Sequence, residues 1–422
     1  MASVTKSLFV AALAAALMAS CIGIEDLELK QYEFGAEKLD TFFIYRDRLP
    51  ADMYAFNTPQ ELYLSLQEPY TGFFSRDSAR AYMALLTTSY GGVGFTSDSV
   101  YNGQAVIQVF PESPGEKAGL LPNDTITAIG IYSIAGMDMN TLQELIPTEI
   151  GVKVVLKVKR GEQLLNISVT IGEFLAPSVY TDSVDESTAY IMLTGFYQET
   201  VVQGGSAQEF GEAMAATQWA ENTIVDIRSN GGGYVDQCFT ILNDLVAPNS
   251  PMIVIRSQGI NPENGLITLF TDTVLADGDG GTFVNRKLYI LVDNWTASAS
   301  EMMVSCLRQR SNVVVIGQTT YGKGCGQALF TDGPGGVMAK VTCMTVHPAD
   351  AGEPLEYNKI GIPPDISVDY SEDAYDVALS TIHGESAAAR RKGSFSKRPG
   401  RPDVPVGIKQ PTAIFDGERR WR

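Results

Sequence analysis

Ser298 and Lys323 are the two residues of this 422-residue sequence whose types and spacing could do chemistry. A serine hydroxyl becomes a nucleophile when a base in reach takes its proton. A lysine is such a base only when neutral, which requires desolvation or a nearby positive field to lower its pKa. Histidine, the commoner partner, is scarce, because only His347 and His383 occur. A Ser-His-Asp triad would have to use one of them, and a base at His383 would stand at the edge of a polar tail that cannot position it. No H-E-x-x-H or other paired-histidine metal motif is present.

The elements that must position the pair surround it directly. Leu288–Val292 is a continuous apolar run with the length and composition of a buried strand. Thr296–Ser300 is small and polar, as at a strand-to-helix turn, and Glu301–Arg310 carries Met302, Met303, Cys306 and Leu307 at helical spacing. A second apolar run, Val313–Ile316, ends in a glycine-rich turn that holds Lys323. Such a strand–helix–strand unit crosses over right-handed, and ligands gather beyond the carboxyl ends of its strands. Ser298 and Lys323 both fall just past those ends, so they can meet at one edge of a sheet. The helix would aim its first N–H groups at the same place, where an oxyanion could be held.

Plainer readings of the same residues stand beside this one. Ser298-Ala-Ser-Glu301 is an S-x-x-E capping box, in which the serine caps the helix. Gly317-x4-Gly322-Lys323 approaches a P-loop, but position 324 is glycine, not Ser/Thr, and strand and turn follow where a helix is needed. That reading is rejected. Cys325 is close enough to Lys323 for a reactive thiol, although nothing near it has a cysteine-protease arrangement.

The segments TASASE (296–301) and GQTTYGKGCGQ (317–327) together resemble the active-site signature of the S41 peptidases, the tail-specific or carboxyl-terminal processing proteases. The resemblance implies Ser298 as nucleophile, Lys323 as base and Gln327 as the residue that orients the lysine. DIRSNGGG (226–233) is similar to a further motif of that family, which implies an oxyanion hole made by the N–H groups of Gly232 and Ala299. Asp226 and Arg228 are better read as an ion pair that orders the glycine loop than as acid and base, and Asp293 has no nearby histidine to orient.

Upstream, Gly91–Glu173 looks like a PDZ domain. Gly92, Val93, Gly94 and Phe95 lie in the GGVGF stretch that has the form of its carboxylate-binding loop, beside a strand edge able to accept a peptide. Ser113–Gly130 fits the same family, with Asn123 where glycine is usual; asparagine tolerates the left-handed turn required there. Val152–Ile171 alternates as a hairpin around Arg160-Gly161. In the protease part, Ala189–Phe196 and Asn222–Arg228 read as strands, Ser206–Ala220 as an amphipathic helix, and Tyr357–Val368 as a closing strand. The expected architecture is multidomain, α/β and α+β: residues 1–20 signal peptide, 21–88 helical region, 89–174 PDZ β-sandwich-like domain, 175–384 S41 (ClpP/crotonase-like) α/β protease core, 385–422 basic disordered tail.

Composition narrows the function. A formal charge of −18 argues against nucleic acid as a partner. Lys6 followed by the short apolar run Leu8–Ala19 reads as a targeting segment too short to span a bilayer. Leu17-Met18-Ala19-Ser20-Cys21 resembles a bacterial lipobox, which implies lipidation of Cys21 and anchoring in the cell envelope; Ile22 in place of Asp favours the outer membrane. Cys238, Cys306, Cys325 and Cys343 remain, and their pairing is left open. The combined expectation is an envelope serine endopeptidase without metal or cofactor, its PDZ domain recruiting or gating on polypeptide C-termini or unfolded segments. The alternative is a peptide-binding scaffold of the same fold without turnover.

Overall fold

A computed structural model describes residues 27–100, 103–137, 145–147, 149–349, 357–369 and 372–384. The expectations for the signal segment, Cys21 and the basic tail lie outside the described residues. The chain divides into two compact units. The first runs through Met83 and takes in Ile255–Asp272 and Cys325–Thr345; the second holds Ala84–Val254, Thr273–Gly324 and the chain from Val346 on.

The second unit contains the strand–helix–strand element, within a six-stranded sheet. From one edge its strands are Val179–Ser183, Thr188–Leu193, Asn222–Asp226, Lys287–Val292, Val313–Gly317 and Ile366–Ser367. The first is antiparallel to its neighbour and every other pairing is parallel. Thr188–Leu193 and Asn222–Asp226 are buried at every position, as parallel strands covered on both faces must be. Helices Gly205–Ala216, Val235–Leu245 and Ala299–Leu307 occupy the crossovers. Ala374–Ile382 packs Val377, Ala378 and Leu379 into a cluster with Tyr190, Ile224, Leu291 and Ile316.

Register levels the carboxyl ends of the central strands, since Asp226 pairs with Leu291 and Val292 with Gly317. The loops at 227–234, 293–298 and 318–324 therefore leave from one edge. The helix begins at Ala299, two residues before the expected start, and ends at Leu307, because Arg310 already turns back with its N–H on Leu307 O. Of the expected closing strand only Ile366–Ser367 pairs; Pro363 and Pro364, which lack an N–H, keep the preceding residues out of the ladder.

A second sheet in this unit orders Phe95–Val100, Gly103–Val109, Thr125–Ile129, Lys153–Arg160 and Gln163–Thr170, with Tyr132–Ser133 paired to the third. Alternation along Lys153–Arg160 turns Val154, Leu156 and Val158 inward onto Phe95, Val106, Leu120 and Ile126. Asn123 takes φ 69°, the left-handed turn its residue type allows. A ribbon of Ser89–Gly92 on Gly172–Leu175 brackets this sheet in sequence.

In the first unit, residues 27–42 and Pro59–Ser65 are helical, and Thr58 Oγ1 caps the latter by accepting from Glu61 N–H at 3.2 Å. Leu39, Phe43, Leu62, Tyr63 and Phe73 share one core with Val337, Ala339 and Val341. The helical segment is thus completed by strands more than 250 positions downstream, a return that local periodicity does not encode.

Candidate active site

Ser298 ends the loop after Lys287–Val292 with φ 61° and ψ −119°. That conformation lies outside the regions open to an ordinary L-residue and costs about 1–3 kcal/mol. An N-cap normally sits in the extended region, so capping alone leaves the strain without a use. Neighbouring bonds enforce it: Ala297 N–H donates to Asn230 O (3.0 Å), as does the Ser300 hydroxyl (3.0 Å). Thr296, Ala297, Ala299 and Ser300 are buried, and Ser298 alone in this stretch reaches solvent. A sharp strand-to-helix turn that presents its serine in this way suits a nucleophile.

Glu301, one turn into the helix, is fully buried and gathers the two loops. Its Oε2 accepts from the N–H of Ser298 (3.0 Å) and the N–H of Lys323 (2.7 Å). Its Oε1 accepts from the Thr320 hydroxyl (2.5 Å) and the N–H of Gly322 (2.6 Å). One oxygen therefore holds the backbones of serine and lysine no more than two hydrogen-bond lengths apart. Burial pushes the Glu301 pKa up; the four hydrogen bonds pull against it, and the net shift is upward. The loops also bond directly, Tyr321 N–H to Thr296 O at 2.9 Å. Residues 357–362 close over the lysine turn through Lys359 N–H to Gly322 O (2.6 Å) and Ile362 N–H to Thr320 Oγ1 (2.7 Å). Lys323 is half-buried between buried Gly322 and Gly324.

The glycine loop supplies the third side. Gly232 has φ 97°, and a Cβ there would lie 2.8 Å from Ser298 Cβ and 2.9 Å from Ala299 N, so only glycine fits against the serine turn. Its own N–H donates to Asn230 Oδ1 (2.9 Å), while Asn230 Nδ2 is anchored on Leu193 O (2.9 Å). Asp293 fastens this loop to the serine turn by accepting from Ser229 N–H (2.8 Å), the Ser229 hydroxyl (3.0 Å) and Trp295 N–H (3.0 Å). Asp226 and Arg228 form the expected ion pair (2.6 Å), and Arg228 also reaches Asp373 (2.8 Å) at the cap of the helix Ala374–Ile382. Burial opposes the Arg228 charge, but the bonds to Asp226 outweigh it and hold the guanidinium above its ordinary value.

Residues 187–368 match peptidase family S41, and residues 106–160 match the PDZ domain. The chain carries a peptidase family S41 domain. It is 27% identical over 266 residues to the carboxy-terminal processing protease CtpA of Bacillus subtilis, a match that covers 62% of this chain and 53% of that one. It is 23% identical over 375 residues to a carboxy-terminal-processing protease of Bartonella bacilliformis, covering 86% and 82%. The chain thus spans about half the length of the Bacillus relatives it matches. A crystal structure assigned to the S41 proteases, from Bacteroides fragilis, shares the fold at TM-score 0.54 and 18% identity, covering 83% of this chain and 96% of that one.

Ser298, Ala299, Lys323, Gln327 and Gly232 all lie inside the matched S41 span. Gln327 belongs to the strand Cys325–Thr331, just past a bulge at Gly326/Gln327; its Nε2 lies 3.5 Å from Cys325 Sγ and 3.4 Å from Thr342 Oγ1. Cys238, Cys306, Cys325 and Cys343 are all buried and unbridged, and burial raises the Cys343 thiol to about 11, an inert value at neutral pH. His383 bonds Asp185 (3.1 Å), not the serine loop. In the stretch Gly92–Phe95, which precedes the matched PDZ span, Val93 and Phe95 are core residues, Gly94 has φ 85°, and Phe95–Val100 is the terminal strand of its sheet. Glu301 was read in the sequence only as a capping partner, and Thr320 was not singled out. The S-x-x-E pattern carried the available signal for the first.

Proposed function

We propose that this S41 chain is a serine endopeptidase working through Ser298 and Lys323. Neutral Lys323 takes the Ser298 proton as the oxygen attacks the scissile carbonyl, and returns it to the leaving amine. Ala299 N–H, at the start of the serine helix, and Gly232 N–H receive the oxyanion, Gly232 exchanging its bond to Asn230 for one to substrate. The observation that carries this reading is the single Glu301 oxygen accepting from both Ser298 and Lys323 N–H groups. Gln327 as the residue that orients the lysine rests on the sequence motif. The PDZ loop Gly92–Phe95 would take polypeptide C-termini, with the edge of Phe95–Val100 as docking strand. Lipidation at Cys21 would place the enzyme in the bacterial envelope at the outer membrane. Among the described residues no helix is long and apolar enough to cross a membrane.

The test is cleavage of an unfolded protein by the full chain, Ser298→Ala and Lys323→Ala, with fragments read by mass spectrometry. Fragments from wild type alone are expected. Equal fragments from all three would overturn the mechanism, and peptide binding without any cleavage would support the scaffold. Labelling of cells with a lipid precursor, lost in Cys21→Ser, tests the anchor.

A further inference from the structure

Glu209 sits on the helix Gly205–Ala216, 6% exposed and away from the residues assigned so far. Its Oε2 accepts from the N–H of Ser178 (2.7 Å), the N–H of Val179 (3.1 Å) and the Ser178 hydroxyl (2.7 Å), while its Oε1 has no hydrogen-bond partner. A half-used buried carboxylate is costly, and packing alone does not call for one. Its bonds lead somewhere. Ser178 Oγ lies 2.8 Å from Ser206 Oγ, which in turn accepts from Tyr197 N–H (2.8 Å), while Ser206 N–H donates to Tyr197 O (2.9 Å).

Geometry fixes the direction of this chain. Glu209 Oε2, already accepting from two backbone N–H groups, takes the Ser178 proton; Ser206 then gives its proton to Ser178 and keeps its oxygen for Tyr197. The residue before Tyr197 meets the glycine loop. Phe196 N–H donates to Gly232 O (3.0 Å), and Phe196 O accepts from Tyr234 N–H (2.8 Å). The approach is close, since a Cβ on Gly233 would lie 2.2 Å from Phe196 O. Gly232 is therefore held from one side by Asn230 and from the other by Phe196. We propose that Glu209 is a positioning residue for the oxyanion loop, acting through Ser178, Ser206 and Phe196–Tyr197 on Gly232. Its effect on turnover rests on the serine-peptidase reading; its effect on the loop does not.

Glu209→Ala, Glu209→Gln and Ser206→Ala in the full chain test this. Deleting an oxyanion donor costs about 10²–10³ in kcat, so displacing one is expected to cost about 10–10² in Glu209→Ala and Ser206→Ala, with KM little changed. Glutamine keeps a carbonyl for the Ser178 donors and should restore most of the rate. Hydrogen exchange is the second readout. The amides of Phe196, Tyr197 and Tyr234 should exchange faster in Glu209→Ala, while those of Gly322 and Lys323, held by Glu301, keep wild-type rates. Unchanged exchange at the first three, or equal acceleration at all five, overturns the proposal, as does wild-type kcat in Glu209→Ala. Faster exchange confined to the first three in a chain whose wild type cleaves nothing would refute the peptidase reading and sustain the positioning role.

Discussion

Glu301→Gln should disable the centre while leaving its shape nearly unchanged. The carboxylate accepts four bonds, two on each oxygen. Glutamine replaces one oxygen with a donor. Turned toward Ser298 and Lys323, the amide faces two N–H groups that cannot accept. Turned the other way, one amide N–H meets Thr320, whose hydroxyl can rotate to accept, while Gly322 N–H and the second amide N–H are left facing each other. The second orientation is the cheaper one. It leaves at least two buried donors unpaired, at about 1–3 kcal/mol each, for a total of about 2–6 kcal/mol. A domain in the middle of the usual range of about 5–15 kcal/mol survives that loss. Activity should suffer more than stability, because Gly322 adjoins Lys323, and a shift of about 1 Å in a reacting group costs about 10² in rate. The assay is kcat/KM on a fluorogenic peptide, with Ser298→Ala as the floor, and a urea titration alongside. A kcat/KM within about threefold of wild type in a folded Glu301→Gln would refute the claim that this carboxylate positions serine and lysine.

Acid should act on the same carboxylate with two signs. Its folded pKa is raised by burial, so the stability it contributes is fully present below the unfolded pKa and is lost as pH rises through the folded one. Activity runs the other way: protonated Glu301 gives up at least one acceptance, so log kcat/KM should gain a further unit of slope on the acid limb as pH falls through the Glu301 pKa. An acid limb that gains no slope there counts against the clamp. Arg228→Ala removes the only cation paired with Asp226 among the described residues, leaving this 1%-exposed carboxylate with the Tyr190 hydroxyl and one backbone N–H, and should lower stability by about 3–5 kcal/mol in a denaturant titration; a loss below about 1 kcal/mol would mean the pair does not hold the glycine loop. Gly94→Ala places a Cβ 2.4 Å from Ser113 Cβ at φ 85° and should abolish fluorescence-anisotropy binding of a peptide with a free C-terminus. Equal binding by the variant, or by an amidated peptide, would remove the carboxylate role from Gly92–Phe95.

The centre of the sheet was legible because Leu288–Val292 and Val313–Ile316 are uninterrupted apolar runs, whereas the edge strand Val179–Ser183, VYTDS, carries no such run. Ser298, Lys323 and Gly232 lie on the loops leaving one edge of that sheet. Two kinds of fact stayed hidden. One is the discontinuous first unit, whose core joins Leu39 and Phe43 to Val337 and Val341; apolar spacing marks a face for burial but does not name what covers it.

The other is the second use of a residue already explained. At an exposed helix start the N3 glutamate of a capping box would accept from its own N-cap and face water with its other lone pairs. Here the strand pairing of Leu288 with Val313 through Val292 with Gly317 carries the next loop across that helix start, and Thr320, Gly322 and Lys323 fill the places water would take. Nothing in S-x-x-E distinguishes the two cases, because the partners stand 19 to 22 positions away and are selected by register. The cap and the clamp are then one structure. The bond that starts the helix at Ser298 also fixes where Lys323 stands, so a change that weakens the first is expected to misplace the second.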